Sequence, residues 1–195
     1  RRPSQRCKRL LSGTQRMSNL DDANVYRRLD PSDMRERIRE LPGECLEAWQ
    51  QALAFEMPQG YTGVDRVVVL GMGGSAIGGN LLSSLCALEA KAPPVSVCRD
   101  YKLPLFVNER TLVIASSYSG MTEETLSAFK QAIATPAKKL VLTTGGELRR
   151  LAERNGVPVF NVSYAAQPRA ALAHSFLPLV GFCQKLGLVS DKSAD

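Results

Sequence analysis

The spacing of apolar residues changes once along the chain. From Pro31 to Phe55 they recur every three or four positions: Met34, Ile38 and Leu41 share one helical face, and Leu46, Trp49 and Leu53 share another. Pro42-Gly43, between the two sets, predicts a break into two helices. Further on, short uninterrupted apolar runs take over at Val67–Leu70, Val95–Cys98, Leu112–Ala115, Leu140–Leu142 and Val157–Val162. Runs without polar alternation predict strands covered on both faces, as in a parallel sheet. Helical stretches separate most of them. Ala76–Leu88 follows the first run and Thr122–Ala134 the third, with Leu126, Phe129 and Ile133 at helical spacing. Glu147–Arg154 follows the fourth and is stopped by Asn155-Gly156. This alternation predicts an α/β fold: a doubly wound sheet of five parallel strands, flavodoxin-like in the order 2-1-3-4-5, behind an N-terminal helical lead-in.

One further segment, AALAHSFLPLVGFC from Ala170 to Cys183, is apolar nearly all round. A helix of that kind is buried on most sides. One small domain is expected to struggle to bury it, so the expectation is that a second domain or subunit covers it. It is too short to span a bilayer, no charge-free stretch reaches the roughly 18 to 20 apolar residues required, and no secretory core stands near residue 1. No membrane role is expected.

Composition adds little: 195 residues, 44% hydrophobic and 23% charged, describe an ordinary globular chain. The net charge of +6 is more telling by its location. Arg1, Arg2, Arg6, Lys8, Arg9 and Arg16 account for all of it, and residues 1–16 hold no acid. The basicity is a property of the tail and predicts no nucleic-acid face. The pattern also fits a transit peptide, but upstream coding sequence before a start at Met17 is the plainer account. The expected division is a disordered basic tail over 1–16, a helical segment over 17–60, the sheet domain over 61–189 and a cut-short linker over 190–195. The cysteines (Cys7, Cys45, Cys86, Cys98 and Cys183) are scattered and odd in number, which fits buried thiols in a reducing cytoplasm. His174 is the single histidine, so no metal site is expected.

The chemistry concentrates in two turns. In VVVLGMGGSAIGGN (Val67–Asn80) a strand runs into a turn with five glycines and then a helix. Gly71-Met72-Gly73-Gly74-Ser75-Ala76 has the form G-x-G-x-x-A, a dinucleotide fingerprint by pattern, but its physical content is more general. Backbone amides at a helix N-terminus hold an anion, and glycines let a ligand approach the backbone. A ribose-binding acid after the second strand is poorly supplied by Asp100, which follows Arg99 and lies too far along, and no Gly-Lys-Ser/Thr appears. The second turn is ASSYSGMTEET, Ala115 to Thr125, with Ser116, Ser117, Ser119 and Thr122 crowding the end of the third strand. Glu123 and Glu124 are explained by the helix dipole, with Thr122 a candidate N-cap. One cap needs one hydroxyl, however, and the surplus in Ser117, Ser119 and Thr122 suits the oxygens of a phosphate monoester. In the 2-1-3-4-5 order both turns leave the carboxyl ends of strands one and three, where the strand order reverses and ligands bind.

Together GMGGSAIGG, SSYSGMTEET and QPRAALAHSFLPLVGF resemble the bifunctional phosphoglucose/phosphomannose isomerase family, which is built from sugar isomerase (SIS) domains. The lead-in LDDANVYRRLDPSDMRERIRELP is similar to that family's N-terminus, and the resemblance spans about Met17 to Val189. It implies that Gly73, Gly74, Ser75, Ser117, Ser119 and Thr122 contact the substrate, mainly its phosphate, and that Arg169 is the active-site arginine. It implies an aldose–ketose isomerase of 6-phosphosugars that uses no cofactor and no metal. It further implies a second SIS domain carrying the catalytic glutamate and histidine, and a homodimer. His174 does not match that histidine and is expected to be a satisfied core or interface residue. A non-catalytic phosphosugar-binding regulator is the alternative, and the two helices of 31–55 lack the basic recognition face it would need. A nicotinamide-dependent oxidoreductase, resting on the fingerprint alone, comes last.

Overall fold

The computed structural model describes residues 22–164 and 167–194; the expected basic tail lies outside the described residues. Residues up to Arg39 and residues from Glu40 form two units. In the first, helix α1 (Ala23–Leu29) is capped by Asp22, whose carboxylate accepts from the Asn24 amide. The Asp30 carboxylate accepts from the Met34 and Arg35 amides at the start of α2 (Met34–Ala54), and the Arg35 guanidinium lies 4.1 Å over the Tyr26 ring.

The predicted break at Pro42-Gly43 does not occur: α2 runs unbroken to Ala54. The proline forfeits one intrahelical hydrogen bond, but tertiary packing holds the helix together on its other side. Ala48 and Ala52 are fully buried, and Ala52 lies so close to Gly181 that a Cβ there would come within 2.7 Å of it. The buried face is therefore Glu44, Ala48 and Ala52, with Trp49 beside it, while the predicted face residues Leu46 and Leu53 stay exposed.

The sheet comprises β1 (Arg66–Leu70), β2 (Val95–Cys98), β3 (Thr111–Ser116), β4 (Lys138–Thr143) and β5 (Val159–Asn161). All pairings are parallel and the order is β2-β1-β3-β4-β5, as the alternation predicted. Helices α3 (Gly73–Ala87), α4 (Glu123–Ile133), α5 (Gly146–Arg154) and α6 (Leu172–Lys185) cover it. Side chains alternate across each strand. Val67, Val69, Leu112 and Ile114 join Leu82 of α3 and Leu179 and Phe182 of α6 on one face. Val68, Leu70, Val113 and Ala115 join Phe129 of α4 and Leu148 of α5 on the other. Rings of Phe55, Phe160 and Phe182 meet at 5.3 to 5.6 Å between centroids beneath the end of α2.

Helix α6 is largely buried, as its composition predicted. This domain buries Leu179, Phe182 and Cys183 completely, because the helix packs against α3 and joins the core on that face of the sheet, while Phe176 and Leu177 stay half-buried. Close packing, against α6 at one position and against strands at two, explains three of the five glycines in the first turn and helix. A methyl on Gly78 would sit 2.6 Å from the Ser175 carbonyl carbon, one on Gly79 would lie 3.0 Å from Val69 and Val97, and one on Gly71 would lie 3.0 Å from the Ser116 carbonyl oxygen. These glycines bring elements together.

Candidate functional site

Strand β1 is flanked by β2 and β3, so α3 leaves its carboxyl end toward one face and α4 leaves that of β3 toward the other. The two turns meet in the crevice between. The Tyr118 amide donates to Ser75 Oγ at 3.3 Å, a direct tie between the glycine turn and the serine loop. Gly73 is exposed, has φ +50°, and a Cβ there would meet nothing within 4 Å, so its backbone is open to a ligand. Gly74 is half-buried and holds the Pro168 carbonyl close, 3.0 Å from where a Cβ would stand. In α3 the Ser75 amide already donates to the Met72 carbonyl at 3.0 Å, so the Gly73 and Gly74 amides are the ones left to an anion there, and the N-terminus of α4 favours an anion for the same reason.

In the serine loop Ser117 is buried, and its Oγ lies 2.9 Å from Thr122 Oγ1 and accepts from the Gly120 amide at 3.1 Å. Ser119 is exposed and accepts from the Met121 amide at 3.2 Å. Thr122 holds the N-cap position of α4, yet its hydroxyl makes no capping bond and is turned to Ser117 instead. Glu123 and Glu124 sit in the first turn of α4, and Glu123 Oε2 is 3.5 Å from the Tyr101 hydroxyl. Charge from Glu124, then burial and Glu123, pushes the Tyr101 phenol up. Asp100 accepts from the Lys102 amide in a local turn and takes no part in the crevice. Arg169, exposed, follows Pro168 and so stands beside the glycine turn. Of the six loop residues expected from the sequence, Gly73, Gly74 and Ser75 open α3 and Ser117, Ser119 and Thr122 lie in the loop before α4; the Tyr118–Ser75 bond ties the two turns, and Arg169 follows Pro168, whose carbonyl lies close to Gly74.

Three residues escaped sequence reasoning. Tyr118 ties four segments: besides Ser75, its hydroxyl donates to the Tyr164 carbonyl at 2.6 Å and its carbonyl accepts from Thr144 Oγ1 at 2.7 Å. Thr144 belongs to a third turn, Thr143–Gly146, which braces the serine loop from beside it. Tyr101 brings the loop after β2 to α4, its carbonyl accepting from Ser127 Oγ at 2.9 Å and Gln131 Nε2 at 2.7 Å. An aromatic set among hydroxyls, SSYSG, was the legible signal for the first; the others depend on distant chain segments.

His174 is buried as expected, 1% exposed, but it is not satisfied: neither ring nitrogen has a hydrogen-bond partner among the described residues. Burial pushes its pKa down, against the opposing pull of Glu47 and Glu44. Among the described residues no three His, Cys, Asp or Glu side chains gather as a metal-ligand group. Cys45, Cys86, Cys98 and Cys183 are free thiols. No helix among the described residues is long and apolar enough to cross a membrane.

A parallel 2-1-3-4-5 sheet with a glycine turn and a hydroxyl-rich loop at the reversal of strand order defines an SIS-type α/β domain. In fold it is similar to the C-terminal domain of glucosamine-fructose-6-phosphate aminotransferase from Francisella tularensis, with a TM-score of 0.62, 17% identity, and coverage of 82% of this chain and 50% of that one. No protein-family model matches the chain. In sequence it is 47% identical over 156 residues to a bifunctional phosphoglucose/phosphomannose isomerase of Caldicellulosiruptor bescii, covering 80% of this chain and 46% of the relative. It is 42% identical over 116 residues to the protein so named from Thermoplasma acidophilum, covering 60% and 35%. The chain belongs to the bifunctional phosphoglucose/phosphomannose isomerase family and spans about half the length, or less, of these curated relatives.

Proposed function

We propose that the chain is the N-terminal, phosphosugar-binding half of an aldose–ketose isomerase that interconverts glucose 6-phosphate or mannose 6-phosphate with fructose 6-phosphate. The observation that carries this reading is the tied pair of turns at β1 and β3: the Tyr118 amide of the serine loop donates to Ser75 Oγ at the start of α3, and Ser117 Oγ lies 2.9 Å from Thr122 Oγ1 at the start of α4. Helix amides and several hydroxyls match the acceptor oxygens of a terminal phosphate. Gly73, exposed and with open space where a Cβ would stand, gives that phosphate access to the backbone, and Gly74 lets the Pro168 turn come close beside it.

Isomerisation opens the ring and moves a proton between C1 and C2 through a cis-enediol(ate), without a cofactor. A base must reach the carbon-bound proton, and a fixed cation steadies the developing oxyanion. Arg169 is that cation in this reading, permanently charged and beside the turn that holds the phosphate. Among the described residues the crevice offers no suitable base: Glu123 and Glu124 complement the α4 dipole, and Asp100 is engaged elsewhere. The base then comes from a second SIS domain, in an assembly of two copies in the cytoplasm. Its docking surface is the apolar groove of about 450 Å³ formed by Leu46, Trp49, Leu85, Phe176 and Leu177, with Leu46 60% exposed.

The test is calorimetry with glucose 6-phosphate on the 195-residue chain, followed by a coupled isomerase assay with and without a C-terminal SIS domain supplied in trans. Binding without turnover by the chain alone, and turnover with the added domain that Arg169→Ala abolishes, is expected. Turnover by the chain alone that Glu124→Gln removes would show that the base is already present. Binding that never yields turnover favours the regulatory reading, and absence of binding overturns both.

A further inference from the structure

Beneath the glycine turn lies a cavity with water-accessible space of about 10 Å³, lined by Gly74, Ser75, Tyr118, Pro168 and His174 among others. That space is about the size of a single water. The imidazole of His174 closes its floor, almost completely buried, with both nitrogens unpartnered among the described residues. One face of the ring stacks on Tyr164 at 4.6 Å between centroids and 22° between planes. Tyr164 is itself fixed at both ends: its hydroxyl donates to Glu44 Oε1 on α2, and its carbonyl accepts from the Tyr118 hydroxyl. The ring is thus held in place by neighbours that do not use its nitrogens. For packing alone an apolar ring would serve better, because a buried polar atom without a partner destabilises the fold.

The cavity touches both halves of the site. Gly74 and Ser75 belong to the glycine turn, and Pro168 precedes Arg169. We propose that His174 is a positioning residue: its imidazole holds one water in this cavity, and that water fastens the glycine turn to the Pro168–Arg169 turn. The water needs two or more polar partners, and the cavity offers the imidazole together with the hydroxyls of Ser75 and Ser175. The neutral ring carries one donor and one acceptor, which suits a bridging water. Glu44 and Glu47 on α2, Tyr164 after β5 and Tyr118 before α4 are the titratable groups facing it. The inference rests on the reading that these two turns form the phosphosugar site.

The test combines hydrogen exchange by mass spectrometry with calorimetry on the full chain, using glucose 6-phosphate as the probe. H174F keeps the ring and its stacking and deletes the nitrogens; H174Q keeps a donor and an acceptor. Loss of one hydrogen-bonded bridge should speed exchange in segments 72–76 and 170–173 of H174F about tenfold and weaken binding about tenfold, while H174Q stays within about threefold of the parent in both. Exchange in H174F that matches the parent overturns the proposal. Should H174F fail to fold, H174N, whose amide falls short of the cavity, takes its place under the same criterion. A parent chain that ignores glucose 6-phosphate but shows the exchange effect retains the fastening and strikes down the site reading. Binding by the parent with no exchange effect in either variant does the reverse.

Discussion

Gly78→Ala probes how the two turns are held at their working distance. Gly78 lies in the middle of α3, facing α6, and an added methyl would sit 2.6 Å from the Ser175 carbonyl carbon and closer still to its oxygen. Ordinary van der Waals contact begins near 3.4 Å, and a backbone carbonyl cannot swing aside as a side chain can. The helices must therefore part by most of an ångström. Overpacking of this kind costs about 1–3 kcal/mol, and a rigid backbone neighbour points to the upper end. Exchanging glycine for alanine inside a helix returns about 1 kcal/mol. A net loss of about 2 kcal/mol follows, lowering Tm by roughly 4–8 °C for a domain of this size. Gly43→Ala is the internal control. It is also helical, nothing lies within 4 Å of its added methyl, and it should stabilise by about 0.5–1 kcal/mol. Urea titration followed by the emission of Trp49, which packs against the core, reads both variants. Because α3 carries the glycine turn and α6 follows the Arg169 turn, Gly78→Ala should also weaken glucose 6-phosphate binding. An unfolding midpoint for Gly78→Ala equal to or above that of Gly43→Ala would refute the close-packing argument.

Two further outcomes are expected. Ser119→Ala, at an exposed hydroxyl with one local bond, should leave stability unchanged and weaken 6-phosphosugar binding by about 1.5–3 kcal/mol, the size of a hydrogen bond to a charged group; equal calorimetric affinities for variant and parent would remove Ser119 from the phosphate site. Burial holds the folded His174 pKa below the unfolded value of about 6.5, so the unfolded chain binds the extra proton first: stability is complete above about pH 6.5 and declines as the pH falls toward the folded pKa. H174F should lack that part of the slope in urea titrations between about pH 5 and 7, and parallel profiles for the two proteins would contradict it.

The pattern of residues alone determined the strand runs, their parallel pairing and order, and the two turns at β1 and β3. Runs such as Val67–Leu70 can be satisfied only with cover on both faces, and short connections leave few ways to wind them. The hydroxyl surplus at Ser117, Ser119 and Thr122 was legible for the same local reason: one helix start needs one cap. What the sequence could not decide depends on contacts between distant segments. Pro42 reads as a helix break, yet α2 continues through it, with Ala48 and Ala52 buried and Ala52 against Gly181. The glycines of α3 read as ligand access, but Gly71, Gly78 and Gly79 are required by Ser116, Ser175 and Val69, the first two far along the chain. Helix α6 reads as apolar all round, and local composition cannot reveal which part the domain buries itself: α3 and one sheet face cover Leu179, Phe182 and Cys183, while Phe176 and Leu177 stay half-buried. His174 reads as a satisfied core residue, since only the folded chain shows its nitrogens unpartnered beneath the two turns. Hydrophobic period and turn chemistry act between near neighbours and are written locally; packing partners and hydrogen-bond completion are properties of tertiary structure.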